Sequence, residues 1–296
     1  MKLSTLALAL MVGVAAGPNA MAESSGTLQK IKDTHEIVLG YREDAMPFSY
    51  ISGYEKPIGY SLDICREIVG KLKTKLGMSD LKVSYQPVTA SNRIPLLVNG
   101  SIDIECGSTT NTKDRQKTVA FLYTTYVTGT KILVRVDSGI KDLGGLKGKK
   151  IAVTAGTNNI KAVQKVNEEK HLNFNLVYGD NHALNFLQLE NKRVDGFSTD
   201  AILLSVLRAG AKRPKGFTLV GPFLSVEPYA LMVRKNDPAF KNFADSVLDD
   251  IFKNGDFTKI YDKWFLQPVP PKNLTLDIPM PEEMKQLMLH PSDTGS

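Results

Sequence analysis

The order of strand and helix patterns along the chain is the feature that most constrains its fold. The strand pattern EIVLGY is followed by SLDICREIVGKLKTKL, whose apolar residues recur at helical spacing up to a stop at Gly77, and then by the strand pattern LKVSYQPV. A strand, a helix and a strand in this order pair the two strands in parallel through a helical crossover. The chain is therefore predicted to be an α/β protein.

A helix followed by a strand occurs again in each half of the chain. The first unit is SNRIPLLVNGSIDIECGST, with Pro95 in the first helical turn and Gly100 as the stop, and the second is ALNFLQLENKRVDGFSTD. In both units polar residues follow the strand. Open α/β sheets bind ligands beyond the carboxyl ends of their strands, so these residues are expected to line a cleft.

Two extended stretches, YVTGTKILVRVDSG and GPFLSVEPYALMVRKND, are the predicted crossings between two lobes. A chain of 296 residues is long enough to form both. Lobe one is expected to comprise residues 23–131 and 225–296, and lobe two, residues 132–224, to be inserted into it. Two crossings of this kind form a hinge beside a cleft.

The first 22 residues have the pattern of a signal peptide. Lys2 precedes a long apolar run, and AMA places small residues where cleavage requires them. No later run is long enough to span a membrane, and no cysteine near the cleavage site could carry a lipid. The mature chain is expected to be exported and soluble.

Charge, histidine spacing and cysteine usage narrow the function classes. The formal net charge is +6, with dispersed lysines, so no nucleic-acid partner is predicted. The four histidines have no ligand spacing, and neither a metal nor another cofactor is predicted. Cys65 and Cys106 either pair in an oxidising compartment or remain buried thiols, and the sequence leaves both possibilities open.

The segment ECGSTTNTKDRQK places Arg115 in the first turn of a short helix if Thr112 is the cap, where the helix dipole disfavours a cation. The position makes sense if the guanidinium and the free backbone N–H groups bind the same carboxylate. Ser108 and Thr110 can contact an ammonium or the carboxylate. An anion site next to a cation site matches the two charged groups of an α-amino acid. Alternatively, Arg115 is a surface arginine beside an ordinary helix cap.

Two further arginines fall where lobe one would line the cleft. Arg42 follows EIVLGY, and Arg93 opens the helix NRIPLL. Three guanidinium groups in one cleft repel one another unless a second anion is present. Together with Arg115, these residues predict a dianionic ligand.

Lobe two offers a turn and two further side chains. In VTAGTNN, Thr157 and Asn158 can present polar groups to an anion at the start of a helix. Asp200 ends a strand and suits an α-ammonium. His182 either adds a ligand contact or lies beside a structural cap.

Six segments occur in a recognisable order: GYREDAMPFSY, GYSLDI, RIPLLVNGSIDIECGSTTNTKDRQ, LKGKKIAVTAGT, RVDGFSTD and IYDKWF. Together they resemble the periplasmic solute-binding proteins of ABC-type amino-acid importers, in the glutamate/aspartate-binding branch, over essentially the whole mature chain. The resemblance implies a type II periplasmic-binding-protein fold, with two α/β lobes on a two-strand hinge. It also implies a monomer in the periplasm of a Gram-negative bacterium that delivers a dicarboxylic amino acid to membrane permease subunits.

The resemblance also implies roles for individual residues. Arg115 matches the residue that holds the α-carboxylate, and Asp200 the one that holds the α-amino group. Arg42 and Arg93 match the positions that hold the side-chain carboxylate, and His182 matches a further contact. The complete expected ligand-binding set is Arg42, Ser91, Arg93, Ser108, Thr110, Arg115, Thr157, Asn158, His182 and Asp200.

Two positions depart from the family pattern. Ala90, with Ser91 beside it, stands where close relatives have a serine, and Asn158 stands where they have a second threonine. These changes affect the expected affinity and the glutamate-to-aspartate ratio, while the dicarboxylate class is retained. Glutamine and asparagine are expected to bind much more weakly, because Arg42 and Arg93 would stay unpaired and desolvated.

Two other functions remain as alternatives to ligand capture for an importer. A soluble sensor of the same fold could report the ligand to a receptor. An enzyme could use Ser108, His182 and Asp200 as a hydrolase triad, but no G-x-S-x-G elbow is present. Dehydratases occur on the same fold, and that analogy alone carries little weight. The chain is therefore expected not to be an enzyme.

Overall fold

The computed structural model describes residues 26–53 and 56–296, so the predicted signal peptide, residues 1–22, lies outside the described residues. The first part of the chain forms α1 (Thr27–Thr34), β1 (Glu36–Tyr41), β2 (Asp44–Ala45), β3 (Ser49–Tyr50), α2 (Tyr60–Leu76), β4 (Lys82–Pro87), α3 (Arg93–Val98), β5 (Ile104–Glu105), α4 (Lys113–Gln116), β6 (Val119–Phe121) and β7 (Tyr126–Thr128).

The middle part forms β8 (Thr130–Arg135), β9 (Lys150–Thr154), α5 (Asn159–Glu169), β10 (Asn175–Gly179), α6 (His182–Glu190), β11 (Gly196–Asp200), α7 (Ala201–Gly210) and β12 (Phe217–Val220). The last part forms β13 (Glu227–Tyr229), β14 (Met232–Arg234), α8 (Pro238–Asn254), α9 (Asp256–Phe265) and α10 (Glu282–Leu289).

Two five-stranded sheets share one plan. The first has the order β4-β1-β5-β14-β6, with β1 parallel to both β4 and β5, and β14 antiparallel to its neighbours. The second has the order β10-β9-β11-β8-β12, with β9 parallel to both β10 and β11, and β8 antiparallel. We call the parts around these sheets lobe one and lobe two. The α/β class predicted from the strand and helix order is confirmed.

The chain passes between the sheets along a two-stranded antiparallel ribbon. Strand β7 leads out of lobe one into β8, and β13 leads back towards β14, with Tyr126 opposite Tyr229 in the ribbon. Under the ribbon, Phe48, Tyr60 and Phe265 pack edge to face or stacked against these tyrosines, with ring centroids 4.9–6.5 Å apart. This buried aromatic cluster anchors the ribbon to lobe one.

The helices of lobe one have the apolar faces that their spacing predicts. Helix α2 buries Leu62, Cys65, Ile68 and Leu72 on one side and ends at Gly77, whose φ of 66° is the left-handed conformation that glycine adopts without strain. Cys65 and Cys106 form a disulfide with their Cα atoms 6.3 Å apart, which joins α2 to the loop after β5. The pairing that the sequence left open is therefore formed.

The C-terminal segment returns to lobe one. Helix α10, which the sequence patterns did not indicate, buries Met284. Beyond it, the Ser296 N–H donates to the Asn111 carbonyl at 3.1 Å, and the Lys113 N–H donates to the Ser296 carbonyl at 3.1 Å. The tail thus lies along the loop that leads into α4. Among the described residues, none of the helices combines the length and hydropathy needed to cross a bilayer.

Candidate functional site

A small cavity lies between the two lobes at the carboxyl ends of their strands. Eight of the ten residues expected at the site line it, together with Asn159. The lining residues are Arg42, Arg93, Ser108, Thr110, Thr157, Asn158, Asn159, His182 and Asp200. Ser91 and Arg115 lie outside this set.

Lobe one contributes two buried guanidinium groups. Arg42, directly after β1, is 1% exposed, and Arg93, at the start of α3, is 2% exposed. Arg42 Nη2 donates to Asp44 Oδ1 at 3.0 Å, and Arg93 Nη1 donates to the Thr109 hydroxyl. Burial, followed by the charges of other arginines, lowers the pKa of Arg93 to about 9, which leaves it a cation at neutral pH.

Three polar atoms of the lining residues in lobe one lack hydrogen-bond partners. Among the described residues, no partner lies within reach of the buried Arg42 Nε, Arg93 Nε and Ser108 Oγ. Leaving a buried donor unpaired costs about 1–3 kcal/mol, and more for a charged group. These atoms therefore favour a polar, anionic molecule in the cavity.

Arg115 lies at the edge of the cavity, between the lobes. Thr112 caps α4 by accepting the Arg115 N–H at 3.2 Å, so Arg115 lies in the first turn, as the sequence predicts. Its Nη1 donates to the Thr110 carbonyl at 2.8 Å and its Nη2 to the Gly156 carbonyl, in lobe two, at 3.2 Å. The guanidinium thus bridges the lobes beside the cavity.

Ser91 meets lobe two through its backbone. Gly156 has φ of 78°, and a Cβ on it would lie 2.6 Å from the Ser91 N and Cα atoms and from the Ala90 carbonyl carbon. No side chain fits in that space. The Ser91 residue itself is exposed, so the structure does not place it with the cavity-lining residues.

In lobe two, Asp200 is a buried carboxylate at the end of β11. Its Oδ1 accepts from Asn159 Nδ2 at 2.8 Å and its Oδ2 from the Tyr229 hydroxyl. Burial, followed by the charge of Glu227, raises the pKa of Asp200 to about 7. A cation placed against Asp200 would stabilise its charged form and lower that pKa.

His182 is neutral at physiological pH. Burial lowers its pKa to about 4; the Asp44 charge opposes this shift, and the Arg42 and Arg93 charges add to it. The ring Nδ1 lies 2.9 Å from the Thr154 hydroxyl. His182 therefore offers the cavity a hydrogen-bonding ring without adding positive charge.

The charged groups sort into two ends of the site. His182 is influenced by Asp44, Arg42 and Arg93, and Asp200 by Glu227 and Arg115, while Arg93 is influenced by both Arg115 and Arg42 and so lies between the two groups. One end thus combines two guanidinium groups with a neutral imidazole, and the other combines an arginine with carboxylates. The end with two guanidinium groups suits a carboxylate. The end with an arginine and carboxylates suits a group that carries both a carboxylate and an ammonium.

Some residues of the site were not found from the sequence. Asn159 bonds Asp200 and directly follows Asn158, so the TNN turn could have indicated it. Glu227, on β13, is buried and accepts from Asn158 Nδ2 at 3.1 Å, and Tyr229 donates to Asp200. Both lie in an extended run without local signals of a site. Among the described residues, no group of three potential ligands could hold a metal ion.

Sequence comparison gives a match to the family model for bacterial extracellular solute-binding proteins, family 3, over residues 37–267. The L-glutamate/L-aspartate-binding protein of Pseudomonas aeruginosa is 43% identical, over 99% of this chain and 97% of its own length. The glutamate/aspartate import solute-binding protein of Escherichia coli K12 is 42% identical, over 97% of this chain and 95% of its own length.

Solved structures give the same fold. A mutant of ArgBP from T. maritima matches with a TM-score of 0.71 and 28% identity, covering 80% of this chain and 98% of its own. The ancestral amino-acid-binding protein AncCDT-1, described as a precursor of cyclohexadienyl dehydratase, matches with a TM-score of 0.68 and 27% identity, covering 80% and 99%.

Proposed function

Because the chain belongs to family 3 of the bacterial extracellular solute-binding proteins, we propose that it captures L-glutamate or L-aspartate between its lobes and delivers it to the permease of an ABC importer. The observation that carries the proposal is the pair of buried guanidinium groups, Arg42 and Arg93, whose Nε atoms face no partner among the described residues. The named relatives bind or import these two amino acids.

The two ends of the site match the two ends of a dicarboxylic amino acid. Arg42, Arg93 and the neutral His182 would hold the side-chain carboxylate. Arg115 would hold the α-carboxylate by turning from the carbonyls that it now contacts, and Asp200 would pair with the α-ammonium. Ser108, Thr110, Thr157 and Asn158 would complete the hydrogen bonds.

Capture would occur by closure of the lobes about the β7–β13 ribbon. Contacts between the lobes lie on both sides of the cavity: Asp44 Oδ2 accepts from the His182 N–H at 2.6 Å, and Asp114 pairs with Lys161 at 2.6 Å. A ligand that touches both lobes adds bonds that exist only in the closed form, which shifts the population towards it. The closed form is the one that the permease would recognise.

We propose further that the chain has no catalytic step. Ser108 Oγ has no hydrogen-bond partner among the described residues, and the His182 Nδ1 faces Thr154 rather than a serine nucleophile. The hydrolase triad considered from the sequence is therefore not assembled. We also propose that residues 1–22 direct export to the periplasm, where the dissolved ligand would be met.

Calorimetric titration of the purified mature chain with L-glutamate and L-aspartate tests the function. Saturable one-to-one binding of either amino acid is the expected result. L-Leucine is the matched control, because it offers an α-amino acid group and no second carboxylate. The proposal is overturned if neither L-glutamate nor L-aspartate gives a binding signal, or if leucine binds with equal affinity.

A further inference from the structure

Asp44 is hydrogen-bonded to Arg42 and belongs to neither the cavity lining nor the predicted site. Its side chain is 15% exposed. Oδ1 accepts from Arg42 Nη2 at 3.0 Å, and Oδ2 accepts from the backbone N–H of His182 at 2.6 Å. The carboxylate thus contacts one cavity residue from each lobe.

The carboxylate of Asp44 is ionised. Burial raises its pKa, but the His182 ring, which is charged only in acid, the Arg42 charge and the backbone N–H groups of His182 and Ala183 outweigh burial and lower the pKa overall. A full negative charge therefore lies beside Arg42 at neutral pH.

The Arg42 guanidinium can hold Asp44 and a ligand at the same time. A guanidinium has five N–H donors, Asp44 uses one at Nη2, and the buried Nε has no partner among the described residues. A ligand carboxylate on the free side would also be repelled by the charge of Asp44. A neutral amide on the same side would feel much less repulsion, so Asp44 reduces the preference for an acid over its amide.

Unlike Arg42, Arg93 donates to a neutral group rather than to a carboxylate. Its Nη1 donates to the neutral hydroxyl of Thr109, and Glu105 lies beyond that hydroxyl, accepting from it at 2.7 Å. Of the two arginines at this end of the cavity, Arg42 is thus the one paired directly with a carboxylate.

We propose that Asp44 is a specificity-determining residue, which sets how strongly the site distinguishes glutamate from glutamine by balancing the charge of Arg42. The inference rests on the proposed function, because it needs an amino acid whose side chain reaches Arg42. If Asp44 acted only as a link between the lobes, its loss would weaken both ligands by the same factor. The ratio of the two dissociation constants separates the two roles.

The test compares wild-type protein with Asp44→Asn, measuring L-glutamate by calorimetry and L-glutamine by displacement of labelled glutamate at up to millimolar concentrations. The ratio Kd(glutamine)/Kd(glutamate) is expected to rise about fivefold or more in the variant, as for removal of one partly buried charge beside the ligand. Asp44→Ser, which removes the charge with a smaller side chain, should raise the ratio in the same way. Thermal unfolding checks that each variant is folded.

Asp114→Asn is the matched control. Asp114 also joins the lobes, through Lys161, but it lies beside Arg115 rather than Arg42. Its loss should leave the ratio unchanged. An unchanged or lower ratio in both Asp44 variants, or a rise as large in Asp114→Asn, overturns this inference alone. Wild-type protein that binds neither of these ligands nor L-aspartate overturns the proposed function as well.

Discussion

Gly156 in lobe two lies against the backbone of Ser91 in lobe one. A Cβ on Gly156 would be 2.6 Å from the Ser91 N and Cα atoms, closer than any side chain tolerates. The lobes therefore approach to this distance only because residue 156 is glycine, and the carbonyl of the same residue accepts from Arg115. The two lobes therefore meet at this position through their backbones.

Gly156→Ala is expected to weaken ligand binding. Overpacking at such a contact costs roughly 1–3 kcal/mol, which corresponds to about fivefold or more in Kd. Gly148→Ala is the matched control, since Gly148 has a similar φ of 69° with nothing within 4 Å of the added Cβ. Both variants should lose stability, but only Gly156→Ala should lose affinity in calorimetric titration. Equal affinities in the two variants would contradict the role of this contact.

Arg93→Ala and Arg115→Ala should differ in which ligands they lose. Arg93 is buried beside Arg42 and His182, so its removal should weaken acidic ligands most. Arg115 lies near Asp200, and its removal should weaken every α-amino acid. Titration with glutamate and glutamine measures both effects, with the exposed Arg193→Ala as the control. The division of roles fails if Arg93→Ala weakens glutamate and glutamine by the same factor.

Ligand binding should release a proton from Asp200 below neutral pH. The raised pKa of about 7 means that Asp200 is mostly protonated at pH 6, whereas pairing with an ammonium needs the charged form. Affinity should therefore rise with pH up to about 7 and level off above it, and should be about tenfold weaker at pH 6 than at pH 8.

Calorimetry in buffers of different ionisation enthalpy measures the protons released. Close to one proton is expected near pH 6 and almost none near pH 8. Asp200→Asn should bind more weakly and lose the proton release. A wild-type affinity that stays constant from pH 6 to pH 8 would show that Asp200 does not pair with the ligand.

The Cys65–Cys106 disulfide should stabilise the fold. It joins residues 41 positions apart, and constraining the unfolded chain over such a loop contributes up to about 4 kcal/mol. Denaturant unfolding with and without reductant should show a lower midpoint for the reduced protein. The double variant Cys65→Ala/Cys106→Ala should unfold at one midpoint under both conditions. A wild-type midpoint that is the same with and without reductant would contradict a stabilising role.

The sequence located the groups whose position depends on one strand or helix end. Arg42 follows β1 and Arg93 begins α3, so local patterns were enough to predict both in the cleft. Asp44 and Glu227 were missed, because a two-residue strand and a crossing strand are positioned by partners far along the chain. Helix α10 was missed because its segment follows a proline-rich stretch and buries only Met284 among its residues.

Removal of residues 291–296 should weaken ligand binding without unfolding the protein. The tail hydrogen-bonds both sides of the loop that leads into α4: Asn111 Nδ2 donates to the Asp293 carbonyl at 2.8 Å, and the Lys113 N–H donates to the Ser296 carbonyl at 3.1 Å. That loop carries Thr112, the cap of the helix that contains Arg115, so losing these bonds should let it move and raise the entropic cost of ordering it around a ligand.

The truncated chain is expected to bind glutamate roughly tenfold more weakly, as for the loss of one to two hydrogen bonds that order the loop. Asn111→Ala in the full chain removes the side-chain hydrogen bonds to Asp293 and Gln116 but keeps the backbone bonds to Ser296, and it should give a smaller loss. Amide hydrogen exchange should show faster exchange at Lys113 in the truncated chain, while the strands of lobe two stay protected. An unchanged Kd together with faster exchange at Lys113 would mean that the tail orders the loop without affecting the ligand.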